Sequence, residues 1–354
     1  MLPCGDFINR VDMVNSVSRF QSWFLSIILV VAVTTLANQA ICESSNDEGA
    51  YDPLLLDGKH EAESITLTAK DSNRDREIPL RVYLPSEERS PAPVVLFSHG
   101  LGGSRDASMF LGEHWAARGY VAVFLQHPGS DESVWRDKPP RERLAAMRRA
   151  ASLRNFRLRV GDVSSSIDAL EVWVDEEGHP LQGRIDLTKI GMAGHSFGAM
   201  TTQAVSGQRT PLGLVSFTDE RIRAAIPMSP SKPDRISAER AFGAVEIPWL
   251  LMTGTHDDVP EMGRTMEERY AVFPALPPGG KYELVLHEAE HSVFIDHRLR
   301  GDTLPRNPNH HPAILALSTA FWDAYLLEDE RALEWLDGDG PSTVLEENDR
   351  WQRK

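Results

Sequence analysis

Two stretches of this chain hold residue types at spacings that could do chemistry, and they compete for one histidine. The first is "HEAEHSVFIDH", His287 to His297. It spells H-E-x-x-H, in which two histidines four apart on a helix hold zinc and the glutamate acts as base. His297 stands where the extended form of that motif places a third ligand. The second is Gly194-His195-Ser196-Phe197-Gly198, a G-x-S-x-G pattern. There the serine occupies a tight turn between a strand and a helix and serves as a nucleophile for acyl transfer. His291 is a zinc ligand on the first reading (with His287, Glu288 and His297) and the base for Ser196 on the second.

The elements around each motif separate the readings. Zinc ligation by H-E-x-x-H requires a helix, so that both histidines share a face. "YELVL", just before it, alternates like a strand, and Phe294 stands where the extended motif wants glycine. His287 continues that strand, whereas His291 falls in the loop beyond it, where a base should project. The serine motif has the flanks it needs. The apolar run Ile190 to Ala193 leads in, and the helix-compatible "FGAMTTQAV" leads out. Alone the pattern is weak, since ordinary Gly and Ser usage supplies it by chance in on the order of one chain in ten of this length. The strand–turn–helix context is what gives it weight.

A nucleophilic serine also needs an oxyanion site, a base and an acid that orients the base. "SHGLGGSRD" follows the apolar run Val94 to Phe97. A loop in this position offers one backbone N–H to the oxyanion and the residue after the nucleophile offers another, which makes Leu101 and Phe197 the expected donors. His99 lies on the oxyanion side and is read as holding the loop. Gly102 and Gly103 let its backbone turn close to substrate. The acid should precede the histidine in the chain. Asp257 lies three residues past Gly254, after the apolar run "IPWLLMTG", and is preferred to its neighbour Asp258. The expected set is therefore Ser196, Asp257 and His291, with no metal and no cofactor.

The rest of the chain supplies the elements that must position these groups. "SITLTA" and "IPLRVYLP" read as an antiparallel hairpin at a sheet edge. After them "VVLFSHG", "YVAVFLQH", "KIGMAG", "IRAAIPMS", "IPWLLMTG" and "KYELVLHE" are strand-like runs separated by helical stretches, with a last helix over Ala313 to Leu327. That alternation predicts an α/β class, a doubly wound and mostly parallel sheet. A helical insertion over about 134–175 is rich in arginine (Arg136, Arg141, Arg143, Arg148, Arg149, Arg154, Arg157 and Arg159). It is read as a solvated helical face, and alternatively as a cap or a surface that meets anionic lipid or polymer. The formal charge of −15 argues against a nucleic-acid partner.

"WFLSIILVVAVTTLA", Trp23 to Ala37, is an uncharged apolar run with Arg10 and Arg19 before it and Ala40 after it. Residues 1–42 are expected to be a secretory signal, or else a retained membrane anchor, and the product is expected to be exported. Initiation at Met13 would give a more ordinary signal. Both cysteines, Cys4 and Cys42, lie in this leader, so no intrachain disulfide is expected in the mature chain. A linker over 43–60, a catalytic domain over 61–340 and a polar tail over 341–354 complete the expected organisation.

Taken in order, "FSHGLGGSRD", "GYVAVFLQHPGSD", "IGMAGHSFGAM" and "EHSVF" make the chain resemble the α/β-hydrolase superfamily. More narrowly, it is similar to the predicted dienelactone-hydrolase and platelet-activating-factor acetylhydrolase-like group. The resemblance spans most of Pro79 to Leu327 and implies a serine ester hydrolase acting on a small-molecule, lipid or polymer ester, with a short acyl chain expected. Two features depart from that group. Dienelactone hydrolases carry a cysteine nucleophile where this chain has Ser196. The acetylhydrolase pattern places the acid after the strand that directly follows the nucleophile's helix, and here that strand reads "RAAIPMSPSKP", with no carboxylate before Asp234. Polyester hydrolases and cutinase-like enzymes are similar to this chain in placing the acid one strand later, at Asp257.

Overall fold

Alternation and β-branched residues make the first two strands, β1 (Glu63–Asp71) and β2 (Arg76–Leu84), which pair antiparallel through the short turn between them. The strands that follow are apolar on both faces: β3 (Ala92–Ser98), β4 (Val121–Leu125), β5 (Ile185–His195), β6 (Ile222–Met228), β7 (Trp249–His256) and β8 (Lys281–Glu290). In β3, Val94 and Leu96 join the core on one face while Val95 and Phe97 join the core on the other. Burial on both faces explains why these runs read as continuous rather than alternating hydrophobics. The computed structural model describes residues 50–56, 62–211, 213 and 215–354. The leader expected at 1–42 and most of the 43–60 linker lie outside the described residues.

With a short last strand, β9 (Arg350–Arg353), one nine-stranded sheet results, in the order β1-β2-β4-β3-β5-β6-β7-β8-β9. Strands β4, β3, β5, β6, β7 and β8 run parallel to their neighbours, and both edges are antiparallel. The longer helices are α1 (Met109–Arg118), α2 (Pro140–Ala150), α3 (Leu153–Trp173), α4 (Phe197–Val205), α5 (His310–Leu326) and α6 (Glu330–Asp337). Helices α5 and α6 bury Phe321, Trp322 and Leu336 in one core, and α3 buries Val163, Ile167 and Leu170 in the other. Gly119, in the left-handed conformation that only glycine adopts freely, ends α1. Among the described residues no helix is long and apolar enough to cross a membrane.

Three expectations differ from the structure. The stretch 341–354 is no free tail. Arg350–Arg353 forms β9 against β8, because Trp351 stacks on Tyr282 (centroids 5.5 Å apart) and Arg350 pairs with the buried Glu283. The helix at the end of the apolar pattern is not the last, since α6 follows it. The segment 134–175 is not an insertion throughout. Helix α3 is the crossover that links β4 to β5, so only α2 and its approach are additional. Nor is every arginine there on a solvated face, for Arg159 is fully buried.

Candidate active site

The turn after β5 sets the site. Ser196 has φ 59° and ψ −113°, a left-handed conformation that costs a non-glycine residue on the order of 1–3 kcal/mol. Surrounding contacts hold it there. Its N–H donates to Met228 O (2.9 Å). A Cβ on Gly198 would lie 1.8 Å from Ser98 O, and one on Gly194 would lie 2.5 Å from Gly198 O. The two glycines are therefore what lets α4 start directly against β3 and β5. The strain pushes the serine hydroxyl out at the C-terminal end of the sheet, with the N-terminus of α4 behind it.

His291 opens the short helical turn His291–Phe294 just after β8. Its Nε2 is 2.9 Å from Ser196 Oγ, and its Nδ1 is 2.5 Å from Asp257 Oδ1. Of the two aspartates after β7, Asp257 is fully buried and faces the imidazole, whereas Asp258 is exposed. Thr253 Oγ1 donates to Asp257 Oδ2 (2.7 Å). Burial alone would raise the Asp257 carboxyl. The guanidinium of Arg269 beside it, His291 and the Thr253 hydroxyl together outweigh that and hold it well below the usual carboxylate range. The structure thus brings together the three residues that the sequence singled out, from three separate loops at one end of the sheet.

Arg269 was not expected. It sits on the short helix Met266–Tyr270 and is 2% exposed. Its Nη2 lies 3.2 Å from Asp257 Oδ1, its Nη1 donates to Ser229 O (2.7 Å) and Pro230 O (3.2 Å), and its Nε donates to Asp257 O. The 3.4 Å approach of Nη2 to His291 Nδ1 brings two N–H donors face to face, so it is not a hydrogen bond. Nothing in the spacing of "MEERY" marks Arg269 as different from a surface arginine. Only its place after the acid loop hints at it.

The loop that carries Leu101, where the oxyanion is expected, is also tied down. Leu101, Ser196 and Phe197 line one cavity. His99 accepts the His127 N–H at Nε2 (3.1 Å) and donates from Nδ1 to Gly100 O (2.6 Å), so it stabilises the loop. Buried Arg159 reaches the same loop. It donates to His99 O and to Ser98 Oγ (3.0 Å), and its guanidinium lies over the Phe197 ring at 4.8 Å. It also donates to Thr201 Oγ1 (3.2 Å), which in turn donates to Phe197 O (3.0 Å). One side chain therefore braces both segments that carry Leu101 and Phe197. Behind it His127 bridges Ser98 (2.9 Å) and the buried Asp162 (2.9 Å), and Arg76 pairs with Asp162. Burial, then Arg159, lowers His127 to about 4, so it is neutral at pH 7.

The zinc reading of "HEAEHSVFIDH" meets a backbone that does not suit it. His287 to Glu290 belong to β8, with Glu288 at φ 55°, and His291 starts a different element. Residues four apart on such a path do not share a helix face. His287 is half-buried and His297 is exposed. Among the described residues no three His, Cys, Asp or Glu side chains gather as a metal site.

No family model matches the chain. It is 24% identical to a platelet-activating factor acetylhydrolase of Cavia porcellus, over 43% of this chain and 38% of that protein. It is 22% identical to a cutinase of Thermobifida alba, over 59% of this chain and 56% of that protein. The chain therefore spans less than two thirds of either relative. Both likenesses agree with a mostly parallel sheet whose β5 runs through a strained serine turn into α4. The fold is that of an α/β-hydrolase. In an α/β-hydrolase the nucleophile, acid and base follow one another in that chain order. Ser196, Asp257 and His291 stand after β5, β7 and β8.

Proposed function

We propose that this α/β-hydrolase is a serine ester hydrolase working through an acyl-enzyme. The observation that carries the reading is the continuous relay from Ser196 Oγ to His291 Nε2 (2.9 Å) and from His291 Nδ1 to Asp257 Oδ1 (2.5 Å). His291 accepts the serine proton as Oγ attacks the ester carbonyl, and the tetrahedral oxyanion forms against the N–H groups of Leu101 and Phe197. The same proton then goes to the departing alcohol. Water, deprotonated by His291, attacks the acyl-enzyme and releases the acid. Buried Asp257 stays ionised throughout, which keeps the imidazole in the tautomer with Nδ1–H and stabilises the imidazolium. His195 lies beside His291 with the rings tilted by 41° and their centroids 4.5 Å apart; burial pushes it well below its ordinary value, so it adds no competing positive charge.

The two relatives, named for acting as an acetylhydrolase and a cutinase, support the same class of reaction. The test is turnover of p-nitrophenyl esters by the mature chain. Ser196→Ala should remove it and a chelator should leave it untouched. Activity that survives the substitution, or that the chelator abolishes, counts against the proposal. The leader read at Trp23 to Ala37 supports export, which N-terminal sequencing of the secreted product would check.

A further inference from the structure

The shape of the space beside Ser196 bears on which ester the site takes. A cavity of about 700 Å³ opens there, in the upper part of the range for small-molecule sites. It is not a cup around the serine. Phe197, Met200 and Ala204 all contribute to its wall from α4, and Gln208 does so just beyond that helix. Spacings of three and four residues place them on one helix face. From Ser196 to Ala204 that face is about 12 Å long at 1.5 Å per residue. The cavity is thus a trough along α4, with the nucleophile at one end.

Its other wall is apolar as well. Phe156 and Phe217 meet edge to face with centroids 5.8 Å apart, flanked by Leu153 and Val215. The charged groups that border it are engaged elsewhere or face water. Arg269 is held by Asp257, Arg264 by Asp234 and Glu268, and Arg157 and Arg235 are exposed. After acylation the alcohol must leave and water must enter, while the acyl group stays attached to Ser196. The open side therefore suits the leaving group, and the trough suits the part that is retained.

We propose that the acyl half of the substrate is a medium-to-long apolar chain, seated along the Phe197–Met200–Ala204 face of α4. This rests on the serine ester hydrolase reading and departs from the short-chain expectation. A two-carbon acyl group would leave almost all of the trough unfilled and would gain nothing from it. Each methylene that is moved from water into the trough should raise kcat/KM by about two- to fourfold.

The experiment measures kcat/KM for p-nitrophenyl acetate, octanoate and dodecanoate, using the wild-type chain and two variants, Met200→Trp and Ala204→Trp. Circular dichroism checks that each variant folds. The expected wild-type result is a preference for octanoate over acetate of roughly fiftyfold or more. Each variant should cut the octanoate-to-acetate ratio by at least about tenfold, because an indole then fills the trough. If buried Ala204 does not tolerate tryptophan, the more exposed Met200 carries the comparison. A preference for acetate, or an unmoved ratio in a folded Met200→Trp protein, overturns this proposal and leaves the ester reading standing. Turnover of none of the three esters overturns both.

Discussion

Arg269 offers the sharpest test of how the acid is held. Arg269→Met keeps much of the side-chain volume and removes the cation. At 3.2 Å and an effective dielectric of about 20, the attraction between Arg269 and Asp257 is about 5 kcal/mol. Breaking a buried pair by deleting one partner costs about 3–5 kcal/mol in practice. The carbonyls of Ser229, Pro230 and Asp257 lose a donor too. One effect limits the loss, because a carboxyl freed from the guanidinium can take up a proton. We expect a destabilisation of about 3–5 kcal/mol at pH 7, a fall in Tm of about 5–8 °C for a domain of this size.

The pH dependence follows from the sign of the shift. Asp257 is depressed in the folded chain, so the stability it contributes is present above its unfolded value of about 4 and is lost as pH falls through the folded value. Without Arg269 that loss moves to higher pH. The gap between wild type and variant should be widest near neutrality and shrink from about pH 5 downward, as the variant's carboxyl takes up its proton first. Urea denaturation across pH 3 to 8 measures both quantities. A loss under about 1 kcal/mol at pH 7, or a gap constant across that range, would mean that Arg269 does not hold Asp257 ionised.

Other outcomes follow from the same geometry. His291→Ala should lower ester turnover by about 10⁴-fold or more, while His287→Ala and His297→Ala should each stay within about threefold of wild type, read as kcat on one ester. Gly198→Ala should fail to give soluble folded protein, because its Cβ would lie 1.8 Å from Ser98 O, between two backbones with no room to part. Arg159→Met should lower kcat by about ten- to a hundredfold with little change in KM, and should slow phosphonylation of Ser196 equally, since the oxyanion donors lose their brace. A change confined to KM would argue against that role.

The strand–serine–helix turn could be read from sequence because it depends on local chemistry: an apolar run, glycines two residues either side of the serine, and helix formers after it. The choice of Asp257 over Asp258 was legible for a related reason, as only the residue three past Gly254 turns back under the sheet. Arg159 and Arg269 were hidden because their burial is set by tertiary packing. Arg159 did carry one signal. It lies three residues from Phe156 and four from Val163, on the apolar stripe of α3 rather than on its charged face, so counting arginines obscured it. Strand β9 was missed because "RWQR" is charged. Its pairing depends on Trp351 finding Tyr282 and on Arg350 finding Glu283, contacts across more than sixty residues. The cavity along α4 could not be read at all, since Phe156, Phe217 and Met200 come from separate segments.

If Ser196 is the nucleophile and the relay through His291 activates it, a serine-directed reagent should find that one hydroxyl. Mass spectrometry of the mature chain after treatment with an alkyl phosphonate ester tests this most directly. A single adduct on Ser196 is expected, formed at a rate that falls steeply in His291→Ala, with no adduct in Ser196→Ala. An adduct on another residue, or undiminished ester turnover by a protein whose Ser196 is fully blocked, would contradict it.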